Sequence, residues 1–260
     1  MPDFDLLLAF LDDFSPTAIE EHETGARVFF ATPQMRDAAL AAVAALKAPR
    51  CKAGSIDVDD EDWARRSQEN LPPVTVGRIT VFPNPQSLIP NPSVLHLVVP
   101  ASMAFGTGHH ATTRLCLAAL QRIDLGGAIV LDVGTGAGIL ALAAVRLGAA
   151  RAVGIDHDPD AIQIARENLS LNPEAHHVSF EVADLAAAPL PVADVVIANL
   201  TGALLVRTAP VLAGAVRRGG TLIVSGALRE ERDAVHAAFY EMTTTWEASQ
   251  DEWIVLVLFK

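Results

Sequence analysis

From Ser102 to Lys260, short runs of β-branched and other apolar residues alternate with longer Ala/Leu-rich stretches. The runs Ile129–Val133, Ala152–Ile155, Val178–Val182, Asp194–Ala198, Thr221–Ser225 and Trp253–Phe259 predict strands, and stretches such as Ile139–Leu147 predict the helices between them. Val195-Val196-Ile197-Ala198 shows no polar alternation, as expected of a strand buried on both faces. Strand and helix in regular alternation predict a doubly wound α/β domain with a mostly parallel sheet and right-handed crossovers.

The pattern ahead of this domain differs. Residues 1–58 contain a short apolar segment, a strand-like Ala26–Ala31, an Ala-rich helical stretch from Gln34 to Lys47 and a strand candidate Gly54–Val58, which together read as a small α+β unit. Residues 59–100 are polar and then rich in proline (Pro72, Pro73, Pro83, Pro85, Pro90, Pro92, Pro100), which predicts a semi-rigid connector with extended pieces and no central strand. Residues 101–260 form the α/β domain.

Composition narrows the class. Half of the 260 residues are hydrophobic (51%), yet no apolar run approaches the ~20 residues that cross a bilayer, so the excess belongs to a core. Leu6–Leu11 lacks a basic flank and does not read as a signal peptide. Cys51 and Cys116 lie far apart without metal-type spacing, which suits a reducing cytoplasm. A net charge of −12 argues against generic nucleic-acid binding and suits either a basic partner or simple solubility.

The segment with most chemistry is Leu131-Asp132-Val133-Gly134-Thr135-Gly136-Ala137-Gly138-Ile139. A strand runs into three alternate glycines and then a helix, so backbone can turn sharply and lie close to a ligand. The dinucleotide fingerprint places its third glycine one residue later, where this chain has Ile139. The departure suits a ligand without pyrophosphate, with an amino-acid end, a sulfonium and an adenosine, as in S-adenosylmethionine. Asp132 can then meet the ammonium, Asp156 after the next strand can accept ribose hydroxyls, and Asp184 after the third strand can take the adenine amino group. The purely structural alternative is a tight turn at Gly134, Gly136 and Gly138, with Asp156 capping the helix that starts near Pro159.

Two further segments stand out. Phe105-Gly106-Thr107-Gly108-His109-His110-Ala111-Thr112-Thr113 leads into a helix reaching about Arg122, and reads as a flap over the ligand carrying Phe105, Thr107 and Thr113; its structural alternative is a helix cap at Thr112 or Thr113. Adjacent histidines seldom face one site, so His109-His110 does not read as a metal centre. Asn199, at the end of an apolar strand, is the catalytic candidate: its amide oxygen can orient a substrate amine, or instead cap the helix after Gly202.

From about Asp59 to Lys260 these residues resemble the methyltransferases of large-subunit ribosomal protein eleven, the PrmA family. Met103–Thr113 is the most specific element; Asp60-Glu61-Asp62-Trp63, Asp132–Gly138, Asp156-His157-Asp158-Pro159, Ala198-Asn199-Leu200 and Glu252-Trp253 also match. The resemblance implies a class I, Rossmann-like S-adenosylmethionine-dependent fold with a seven-stranded sheet and an N-terminal ferredoxin-like domain that recognises the target. It implies cofactor contacts from Thr113, Gly134, Asp156 and Asn199, and methylation of lysine side-chain and N-terminal amines of a basic ribosomal protein. Against the family pattern, the chain opens in what reads as the first helix, and Leu200-Thr201-Gly202 stands where Ile-Leu-Ala is frequent.

Rival readings keep parts of this picture. A lysine of another protein, such as an electron-transfer flavoprotein, could be the acceptor. A nicotinamide-dependent oxidoreductase would need a glycine where Ile139 stands. A non-catalytic ribosome- or RNA-binding module is opposed by the acidic charge.

Overall fold

A computed structural model of the chain describes residues 11, 14, 18–22, 25–30, 32–45, 53–55, 72–84, 94–100, 108–185 and 190–260. The chain divides into two units, Met1–Trp63 and Ala64–Lys260. In the first, β1 (Ala18–His22) and β2 (Gly25–Phe29) form an antiparallel hairpin, followed by α1 (Pro33–Ala45). Ala39 and Val43, one turn apart on α1, bury with Leu11 against Phe14, Val28 and Phe30. β1 has little strand signature, Ala-Ile-Glu-Glu-His, and its pairing with β2 is what defines it. Gly54 and Ser55 are exposed and outside any strand, and the rest of that strand candidate lies outside the described residues. The hairpin and α1 alone do not establish a ferredoxin-like arrangement.

The second unit opens with β3 (Val74–Val76), β4 (Ile79–Phe82) and β5 (Leu95–Val98), in the order β3-β4-β5. β4 is central, antiparallel to β3 and parallel to β5, which corrects the expectation that this proline-rich region holds no central strand. The prolines fall between the strands: Pro72 and Pro73 precede β3, Pro83 follows β4 and Pro100 follows β5. No strand amide is lost to proline, and Ile79, Val81, Leu97 and Val99 join the core of the α/β domain.

That domain comprises α2 (Ala111–Leu120), β6 (Ile129–Val133), α3 (Ile139–Arg146), β7 (Arg151–Asp156), α4 (Pro159–Ser170), β8 (Val178–Val182), β9 (Ala193–Asn199), α5 (Gly202–Ala215), β10 (Val216–Leu228), α6 (Arg232–Ala238), β11 (Thr243–Gln250) and β12 (Trp253–Phe259). Its sheet has seven strands in the order β11-β12-β10-β9-β6-β7-β8. The strands from β10 to β8 are parallel, while β12 runs antiparallel to both β10 and β11. All six strands expected in this domain are present; β11 was not among them. Its exposed and half-buried positions alternate along Thr-Thr-Thr-Trp-Glu-Ala-Ser-Gln, a polar edge strand without an apolar run.

Alternation along the strands sorts side chains onto two faces. Val130, Val195, Ile197 and Ile223 pack towards α2 and α3, whereas Leu131, Val196, Ala198 and Leu222 pack with Leu205, Leu212 and Val235 of α5 and α6. Asp132, Asn199 and Ser225 have the parity of the first set, so they belong to the α2/α3 face. The order reverses between β6 and β9, the switch point where open α/β sheets bind ligands at their carboxyl ends.

Candidate active site

Asp132 is the penultimate residue of β6 and fully buried. Its Oδ2 accepts from the Thr135 hydroxyl at 2.6 Å and from the Ala141 backbone N–H at 3.2 Å. Ala141 lies in the first turn of α3, whose N-cap, Gly138, has no side chain; Asp132 supplies the missing acceptor from the neighbouring strand. Asp132 Oδ1 has no partner. Burial pushes this carboxyl from 3.8 up to about 6; the Thr135 hydroxyl and Ala141 N–H act in the opposite direction, and Asp156 adds to the rise.

The loop between β6 and α3 turns through three positive-φ glycines, Gly134 (69°), Gly136 (52°) and Gly138 (83°). The Gly134 and Thr135 amides both bond the Ile155 carbonyl at 2.9 Å, which ties the loop to the end of β7. Asp156 ends β7; its Oδ2 accepts from Gly136 N–H at 3.0 Å and its Oδ1 from Asp158 N–H at 3.1 Å, with the His157 imidazole at 3.2 Å. The cap of α4 is Asp158, which accepts from Asp160 N–H at 2.9 Å, so the structural alternative for Asp156 is corrected. Asp184 is exposed just beyond β8, at the carboxyl edge of the same sheet.

Asn199 is the last residue of β9, opposite Ser225 of β10, and its Oδ1 is buried without a partner. The N-cap of α5 is Thr201, so Asn199 does not cap that helix. Leu200 holds the turn out of β9 in place. Its amide bonds the Ser225 carbonyl at 2.9 Å, and its carbonyl oxygen leaves no room for a Cβ at Gly226, where β10 bulges. Its Cδ2 would lie 2.5 Å from a Cβ at Gly134. One leucine therefore wedges the Asn199 turn against the glycine loop, and both glycines are needed for that approach.

Thr113, fully buried on α2, also carries a hydroxyl without a partner. One turn along lies Cys116, whose thiol is raised first by burial and then by Asp132, while the Ser225 hydroxyl acts the other way. This places the Thr113–Cys116 face of α2 over the ends of β6 and β10. Neither threonine caps α2: the N-cap is His110, whose Nδ1 accepts from Thr112 N–H at 3.3 Å, because its extended backbone lets the ring reach back. The two histidines diverge, His109 Nε2 meeting the Pro72 carbonyl at 3.1 Å and His110 lying edge-on to Trp253. Arg114 braces this corner by bonding the His109 carbonyl and Gln250. Phe105 and Thr107 lie outside the described residues.

Thr135, Leu200, Ser225 and Gly226 were not singled out from sequence. Thr135 could have been, since a hydroxyl between the glycines faces the preceding acid; the others depend on pairing between distant strands.

Residues 12–260 match the family described as ribosomal protein L11 methyltransferase (PrmA). The chain belongs to that family. A ribosomal protein L11 methyltransferase of Pelobacter propionicus is 43% identical over 208 residues, covering 77% of this chain and 67% of the relative. One from Pseudomonas aeruginosa is 41% identical over 201 residues, covering 76% and 67%; one from Pectobacterium atrosepticum is 39% identical over 198, covering 75% and 66%. The chain thus spans about two thirds of the length of these relatives. The crystal structure of a ribosomal protein L11 methylase from Lactobacillus delbrueckii subsp. bulgaricus superposes with a TM-score of 0.66 at 25% identity, covering 72% of this chain and 97% of that one.

The fold is that of class I methyltransferases, and the family's cofactor is S-adenosylmethionine. The residues present suit it. Of the described buried side-chain atoms without a partner, three are oxygens of Thr113, Asp132 and Asn199, on elements that meet at one end of the sheet. An unpaired buried acceptor costs ~1–3 kcal/mol, so such a group implies a ligand rich in donors.

Proposed function

We propose that this chain transfers methyl groups from S-adenosylmethionine to lysine side-chain and N-terminal amines of large-subunit ribosomal protein L11. The observation that carries the reading is the set of unpartnered buried oxygens on Asp132 and Asn199 at neighbouring strand ends and on Thr113 of α2. The target comes from the relatives, which bear the name of that ribosomal protein.

S-adenosylmethionine supplies, when bound, a methyl group on a cationic sulfur. Asp132 Oδ1 pairs with the ammonium of its amino-acid end, and Thr113 adds a hydroxyl nearby. Asp156, oriented by two backbone amides, accepts the ribose hydroxyls, and Asp184 accepts from the adenine amino group. Asn199 Oδ1 would accept an N–H of the neutral incoming amine and so fix where that amine sits. Positioning of this kind supplies most of the acceleration such a transfer needs. A lysine with pKa ~10.4 costs about 4–5 kcal/mol to neutralise at neutral pH. The cationic sulfur and the apolar Leu200 lower that cost by disfavouring a second positive charge. Residues 1–58 present the target, and the acidic surface attracts a basic one.

The test is to incubate the protein with methyl-labelled cofactor and a full set of unmethylated ribosomal proteins, beside an electron-transfer flavoprotein. Label on L11 alone supports the reading; label on another protein, or on none, removes it.

A further inference from the structure

Two buried asparagines, one in the last turn of α4 and one just beyond it, take no part in the site described above. Asn168 and Asn172 are 4% and 2% exposed. The Asn168 side chain donates to the Ala137 carbonyl, between the second and third glycines of the loop, at 2.9 Å. Asn172 accepts from Val98 N–H at 2.8 Å and donates to the Val98 carbonyl at 2.7 Å. Its amide also donates to the Asn168 backbone carbonyl at 2.7 Å. Val98 lies on the edge of β5 away from β4, so Asn172 satisfies both backbone groups of one residue, as a further strand would. One chain of bonds therefore runs from the three-stranded sheet through Asn172 and Asn168 to the glycine loop.

We infer that Asn168 and Asn172 are positioning residues of the cofactor site, and that they make the three-stranded sheet part of the frame that holds the glycine loop. A loop with three positive-φ glycines has little stiffness of its own, and the Ala137 carbonyl is its fixed point on the α4 side. Without Asn168 that carbonyl is left unpaired in the interior, and the loop turns to find another donor. The Gly136 amide, which orients Asp156, turns with it.

Asn168→Ala and Asn172→Ala, made in the full chain, test this by calorimetric binding of S-adenosylhomocysteine well below each variant's melting temperature. The readout does not depend on which protein receives the methyl group. Each variant should bind about tenfold more weakly or worse, with KM for the cofactor raised alike and kcat at saturation within about threefold. The double variant should lose little more than either single one, because the two residues act in series. A lowered melting temperature with unchanged affinity would overturn the inference, as would losses that multiply in the double variant. Should Asn172→Ala fail to fold, Asn172→Ser keeps one donor and is read by the same criteria.

Discussion

Asp132 is the most constrained side chain of the site. Its carboxyl is fully buried, half engaged by Thr135 and Ala141, and raised to about 6 by burial. With the folded value above the ordinary 3.8, this group favours the cofactor-free fold below about pH 4, and that contribution is lost as pH rises through about 6. With the proposed pairing of Asp132 and the cofactor's ammonium, binding has the opposite sign, because an ammonium prefers the ionised carboxylate. Affinity for S-adenosylmethionine should be flat above about pH 7 and fall as pH drops below about 6, and Asp132→Asn should flatten that profile; calorimetry across the range checks both. Asp156 differs in having two backbone amides to orient it. Asp156→Ala should weaken cofactor binding more than about tenfold while circular dichroism stays native, since losing a charged acceptor costs ~1.5–3 kcal/mol. Unchanged affinity would remove Asp156 from the site.

Among the elements, the turn from β9 into α5 joins the strand end that bears Asn199 to the glycine loop. Leu200 seats its side chain on Gly134 and its carbonyl on Gly226, so Asn199 has little freedom. Gly226→Ala places a methyl group against that carbonyl and should lower kcat at least tenfold with a smaller change in cofactor affinity. Equal losses in both would make the turn a general support. The strands that bear Asp132, Asp156 and Asn199 were legible because buried parallel strands are continuous apolar runs and their acids stand at the ends. The caps were not: His110 and Asp158 take the cap positions that the structural alternatives gave to Thr112 or Thr113 and to Asp156, since which of several adjacent polar residues turns back depends on local φ and ψ. β4 was hidden by the prolines around it, and β11 by its polar edge. The Leu200 wedge and the Asn168–Asn172 chain join residues far apart in sequence, and no local pattern encodes them.

At the scale of the whole molecule, the chain divides into two units, and the proposed function gives them different tasks. The second holds every described residue of the candidate site, and the first holds the hairpin and α1. A chain starting near residue 64 should bind S-adenosylmethionine within about threefold of the full protein, and methylate its target far more slowly. Loss of cofactor binding in a folded truncation would contradict that division. The central claim, that this site holds an amine in line with an activated methyl group, is tested most directly by single-turnover methyl transfer to purified L11 with the cofactor pre-bound, comparing the unaltered protein with Asn199→Ala. The account predicts label on amine nitrogens and a rate lower by on the order of a hundredfold in the variant, with cofactor affinity nearly kept. A near-normal rate in Asn199→Ala with a lowered melting temperature, or no transfer by the unaltered protein, would contradict it.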